Sequence, residues 1–135
     1  MKDEKWASYT VKLGWWVQGI FPRATSGDHV NGVDRNHAED VIATGDDWGL
    51  VNLYRNPALK GAKCVSYRAH SSHVVRVMFD QSDSHLYSVG GYDKTLMMWK
   101  YEWLFLWNIK FMIEFFIKDR NYYFNIYVYA YQISI

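Results

Sequence analysis

Ala69-His70-Ser71-Ser72-His73-Val74-Val75-Arg76-Val77, continued by Gly91-Tyr92-Asp93-Lys94-Thr95-Leu96-Met97-Met98-Trp99-Lys100, is the stretch that decides the fold. It reads as short strands separated by tight turns and ends on a tryptophan. A weaker copy lies upstream: Val30-Asn31-Gly32-Val33, then Ala43-Thr44-Gly45-Asp46-Asp47 and Val51-Asn52-Leu53-Tyr54. Val30 matches Val74 at a separation of 44 residues, and Tyr54 matches Trp99 at 45. The second copy therefore holds one extra residue, which this reading assigns to the turn between the first two strands.

A period of about 40–45 residues with four short strands per unit is the signature of WD40 propeller blades. Such blades stack on their neighbours and usually close in rings of about four to eight. Two are visible here, so the 135 residues are expected to be an all-β, partial WD40 propeller, with blades near 29–67 and 70–100. A formal charge of +1 supplies no bulk field for nucleic acid. The single Cys64 excludes an internal disulfide and fits a reducing compartment. The opening Met1-Lys2-Asp3-Glu4-Lys5-Trp6 lacks the apolar core of a signal peptide.

Loose alternation predicts a preceding strand pair near 8–13 and 16–20, and residues 22–28 read as a loop. The first blade is expected as strands near 30–34, 41–44, 50–54 and 63–67. The second is expected near 74–79, 85–89 and 95–100. At Tyr101 the composition changes: the last 35 residues hold no Gly or Pro, and 13 are aromatic. Residue types with A/T-rich codons dominate there, which suggests translated non-coding sequence such as a retained intron. The competing readings are an interfacial helix and a membrane span. Residues 101–117 carry Glu102, Asn108, Lys110 and Glu114 and fall short of the ~20 apolar residues a bilayer needs.

With these residues in view, the chain resembles the C-terminal end of the echinoderm microtubule-associated protein-like family of WD40 proteins. The resemblance covers about residues 5–100 and rests on three sets of strings. They are Trp6-Ala7-Ser8-Tyr9-Thr10 with Leu13-Gly14 and Val17-Gln18-Gly19-Ile20-Phe21-Pro22; Ala43 to Tyr54; and Ala69 to Val74 with Asp83-Ser84-His85-Leu86, Ser88 to Asp93 and Met98-Trp99-Lys100. The aromatic tail has no counterpart in that pattern. The resemblance implies a non-enzymatic, cytoplasmic scaffold on the cytoskeleton, with tubulin as main partner and no cofactor.

WD repeats place a His, a hydroxyl, an Asp and a Trp in a buried hydrogen-bonded chain, and His70, Asp93 and Trp99 occupy three of those places. Indole can only donate, a hydroxyl relays, and imidazole accepts on one nitrogen and donates from the other. Counting back from Asp93, the hydroxyl place falls on Val89. Ser88 is one residue off, which would turn it to the opposite face. The chain is therefore expected to be incomplete, and in the first copy Trp48 stands where the turn aspartate belongs.

His70 and His73 with Asp93 invite a metal, but no further ligands complete a shell. Asp46 and Asp47 are adjacent turn formers rather than a converging acid pair. Cys64 has no His–Asp arrangement to activate it. Trp15 and Trp16 are expected to face opposite ways in a strand, one of them an interface candidate. Arg35, Arg55, Arg68 and Arg76 are candidates for an acidic partner such as tubulin.

Overall fold

The computed structural model describes residues 14–21, 29–68 and 70–100, together with the backbone of 131–134. Two four-stranded antiparallel sheets hold these residues. The first is β1 (Val30–Arg35), β2 (Val41–Asp46), β3 (Leu50–Arg55) and β4 (Cys64–Arg68), paired in sequence order. The second is β5 (Val74–Phe79), β6 (His85–Gly90), β7 (Thr95–Lys100) and β8 (Tyr131–Ser134), again in order. The chain is a partial propeller of two blades.

The two sheets are copies in register as well as in strand order. A bulge at Val30/Gly32 in β1 recurs at Val74/Arg76 in β5. Thr44 lies opposite Val33, and Ser88 opposite Val77, so the first two strands of each blade match at a constant separation of 44. The offset changes only at the next turn, where β2 pairs Gly45 with Val51 and β6 pairs Val89 with Leu96. The extra residue thus belongs to the turn between the second and third strands, not the first and second. Pairing registers fix the position of an insertion, whereas end-point matches only bracket it.

Val41, Ala43, Val51 and Leu53 of the first sheet meet Val74, Val77, Phe79, Leu86, Met97 and Trp99 of the second. Tyr67 leans on this core, its ring 6.0 Å from that of Trp99. On the other face of the first sheet, Ile42, Tyr54 and Ala58 pack against Val17 and Ile20. β2 is therefore buried along its whole length, without the in–out alternation of a strand with one wet face.

Residues 15–20 form a 3-10 helix, Trp15–Ile20, in place of the expected strand near 16–20. Val17 donates its N–H to the Gly14 carbonyl at 3.2 Å, and the i, i+3 pair Val17 and Ile20 turns one apolar edge onto the sheet. Trp15 and Trp16 are consequently both half-buried, not one in and one out. The strand expected near 8–13 lies outside the described residues, as does the tail apart from 131–134. Those four residues are a strand pairing with β7, so the helical reading of the tail fails there. No helix among the described residues is long and apolar enough to cross a membrane.

Candidate functional site

The strands that build the inter-blade core also carry a connected group of polar side chains. Leu86 sits opposite Trp99, and Ser88, two residues along β6, therefore points to the same face as Leu86. Trp99 Nε1 donates to Ser88 Oγ at 2.8 Å, and Ser88 Oγ lies 2.7 Å from His70 Nε2. His70 Nδ1 is 3.1 Å from Asp93 Oδ2 and 2.8 Å from Thr95 Oγ1. A proton order from indole to hydroxyl, from hydroxyl to Nε2, and from Nδ1 to the carboxylate fits these distances.

The network is complete, contrary to the expectation from spacing. Counting back from Asp93 crosses the lengthened β6–β7 turn, and that one residue shifts the hydroxyl place from Val89 to Ser88. Val89 faces away and is 39% exposed. The Leu86–Trp99 register is what puts Ser88 on the indole's face. Thr95, a further partner of His70, carried no signal in the sequence.

Ser88, His70 and Asp93 have the connectivity of a Ser–His–Asp nucleophile, so the catalytic reading has to be weighed. Ser88 and His70 are both fully buried, and the Trp99 N–H already occupies a lone pair of Ser88 Oγ. A nucleophile needs an approach path for the electrophile, and the core packing against the first sheet occupies it. The arrangement ties β6 and β7 to the turn between them and to the loop leading into β5 instead. Burial alone would raise the Asp93 carboxyl, but hydrogen bonds from Thr95 and His70 outweigh it and hold it below the usual range. Asp93 Oδ2 also accepts the Ser71 N–H at 3.1 Å, which fixes the loop leading into β5.

The first blade solves the same corner differently. Gly90 has no side chain, and a Cβ there would collide with Asp93 and His70. Its counterpart in the first blade is Asp46, which fills that space with its own carboxylate. Asp46 Oδ1 accepts the N–H groups of Trp48 and Leu50 at 2.9 Å each, and Oδ2 accepts Asn52 Nδ2 at 3.1 Å. Asp47 turns away to accept Asn31 Nδ2 at 2.7 Å. Trp48, in the aspartate's place, is left 57% exposed.

The remaining candidates scatter. His73 stacks edge-on against Tyr92 and bonds Ser72 Oγ at 3.0 Å, facing away from the His70 network. No group of three metal-ligating side chains occurs among the described residues. Cys64 is an exposed thiol at the start of β4, 3.6 Å from Ser66 Oγ. It borders a cleft of about 790 Å³ on the outer face of the first sheet, with Thr44, Asp46, Trp48, Asn52 and Tyr54. The equivalent face of the second sheet is the one packed against the first. Arg35 folds over the Trp16 ring at 5.7 Å and reaches Glu39 at 3.2 Å, its side chain only 9% exposed. Arg55, Arg68 and Arg76 are exposed. Leu50 pairs with Arg68 and Val41 with Arg55, which puts Arg55 and Arg68 at opposite ends of the blade.

The family model described as the echinoderm microtubule-associated protein second beta-propeller matches residues 1–101. The chain is 54% identical over 98 residues to the ciliary WD repeat-containing protein ctxp80 of Euplotoides octocarinatus, covering 73% of this chain and 14% of that protein. It is 43% identical over 100 residues to echinoderm microtubule-associated protein-like 4 of Homo sapiens, covering 73% of this chain and 10% of that protein. With echinoderm microtubule-associated protein-like 1 of Rattus norvegicus the identity is 42% over 100 residues, covering 73% and 12%. The chain thus spans about a tenth to a seventh of the length of these relatives.

Proposed function

Because the chain belongs to the family of echinoderm microtubule-associated protein second beta-propellers, we propose that it is a scaffold segment that binds tubulin within a longer propeller protein. The observation that carries this reading is the 42–54% identity to microtubule-associated and ciliary WD repeat proteins across both blades. The polar chemistry agrees with it. The Ser88–His70–Asp93 constellation is sealed in the core, so it serves architecture. Recognition by such a surface is distributed, and its electrostatic part is screened within about 8 Å at physiological salt. The cytoskeleton in the cytoplasm is the corresponding location.

A second reading has its own support. The family match ends at residue 101, where the composition breaks. On that reading 1–100 is a propeller piece joined to translated non-coding sequence, with no independent function. A general protein-interaction scaffold is the third reading, since fold alone does not fix the partner.

Co-sedimentation of the full chain with microtubules across a salt series tests the proposal. Binding is expected to weaken with salt and to survive His73→Ala and Cys64→Ser. Because Arg55 and Arg68 lie at opposite blade ends, charge reversal at one should weaken binding more than at the other. Salt-insensitive binding, or its loss with Cys64→Ser alone, would overturn a distributed scaffold surface. Absence of binding by the full chain at low salt would favour the second reading.

A further inference from the structure

The hairpin turn between the first two strands is the same in both blades. Glu39 donates its N–H to the Asn36 carbonyl at 3.1 Å, and Asp83 donates to the Asp80 carbonyl at 3.2 Å. Both corner residues are acidic and left-handed, with φ of 60° for Glu39 and 56° for Asp83. They occupy equivalent places, 44 residues apart.

Asp83 reaches back across the blade boundary. Its Oδ1 accepts the N–H of His37 at 2.9 Å and its Oδ2 that of Ala38 at 2.8 Å. His37 Nδ1 adds a contact to Oδ1 at 2.9 Å. One carboxylate thus spans two consecutive turn amides of the preceding blade. A second tie, from the Phe79 N–H to Asp34 Oδ2, cannot repeat, because Met78 stands in the second blade where Asp34 stands in the first.

Gln81 and Ser82 are the counterparts of His37 and Ala38. Both are exposed, and neither N–H has a partner among the described residues. They flank a half-buried face of the second sheet. Val41, Ala43, Val51 and Leu53, which the second blade covers, correspond to His85, Tyr87, Leu96 and Met98, and Val89 beside them is 39% exposed. Among the described residues, the surface that receives a blade is therefore present twice, and a blade covers it once.

We propose that the Gln81–Ser82 turn is a carboxylate-binding site that takes the acidic corner residue of a third WD-type repeat packed on the Tyr87–Leu96–Met98 face. Acidic corner and turn amides form a latch that can pass from blade to blade. The latch stands independently of the microtubule reading. One feature tunes it. Asp80, where the first turn has the neutral Asn36, brings a negative charge beside the amides. Ser82, Ser84 and the His85 N–H draw its oxygens inward at 2.8, 2.8 and 3.1 Å.

Acetate is the probe, followed by amide chemical shifts of the full chain, with chloride at matched ionic strength as control. Saturable downfield shifts are expected at Gln81 and Ser82, with a midpoint of roughly 10–100 mM, and none at His37 and Ala38, which Asp83 occupies. Asp83→Gly, which removes both acceptor oxygens and tolerates the left-handed φ, should free that second pair and make it respond. Gln81→Pro suits the second position of the turn but lacks the N–H, so the response at Ser82 should fall several-fold, whereas Gln81→Ala should leave it unchanged. Asp80→Asn removes a like charge from the same turn and should tighten binding several-fold. No saturable response at Gln81 and Ser82, or one that Gln81→Pro leaves intact, overturns the proposal.

Discussion

Ser88→Ala is the substitution that probes the polar core most directly. Alanine fits the space, so packing is almost unchanged and the effect is that of the lost hydroxyl. Two buried groups then lose a partner: the Trp99 N–H and His70 Nε2. An unsatisfied buried polar group costs about 1–3 kcal/mol, so the substitution should cost about 2–4 kcal/mol. Trp99→Phe removes the indole donor and part of a large ring that is only 4% exposed, and should cost about 2–4 kcal/mol, mostly through the cavity. The double variant has no stranded indole N–H, so it should be less destabilised than the sum by about 1–2 kcal/mol. Urea unfolding of the full chain followed by far-ultraviolet circular dichroism gives all four stabilities. Costs that add within error, or a Ser88→Ala cost under about 0.5 kcal/mol, would refute the Trp99–Ser88 hydrogen bond as a contributor to stability.

Trp99→Ala should destabilise more than Tyr54→Ala in the same denaturation assay, because Trp99 fills the inter-blade core and serves the His70 network, whereas Tyr54 packs on the outer cluster. Gly90→Ala should be markedly destabilising, since its Cβ would collide with Asp93 and His70; Gly61→Ala has open space, and its cost is confined to the strained φ of 86°. Asp83 and Asp93 are both held below the ordinary carboxyl range, burial being outweighed by hydrogen bonds from His37 and Ala38 in one case and from Thr95 and His70 in the other. A depressed folded pKa contributes stability above the unfolded value that is lost as pH falls through the folded one. Unfolding midpoints should therefore drop as pH is lowered through 3.8 and below, and less steeply in Asp83→Asn, as thermal melts in a pH series would read.

The repeat, the strand positions and the turn chemistry were legible in the residues themselves. Alternation of apolar side chains and the placement of Gly and Asp are local, and the separations of 44 and 45 survive any tertiary rearrangement. His70, Asp93 and Trp99 could be picked out for the same reason. Ser88 could not be assigned by counting, because a one-residue insertion in a turn moves the count without moving the strand register. Register is set by two strands meeting, so only the sheet decided which residue faces the indole. Trp15–Ile20 was misread as a strand because a short apolar run has no period long enough to separate it from a 3-10 turn; packing of Val17 and Ile20 on Ile42 and Tyr54 made the choice. The Asp83 latch lay furthest from view. It joins residues 45 and 46 apart in sequence, and nothing local in either turn specifies the other. The sequence by itself determined two copies of one blade. The stacking of those copies decided that a core tetrad is sealed from solvent, that four arginines do not share one end, and that one turn's amides are taken while the next turn's remain open.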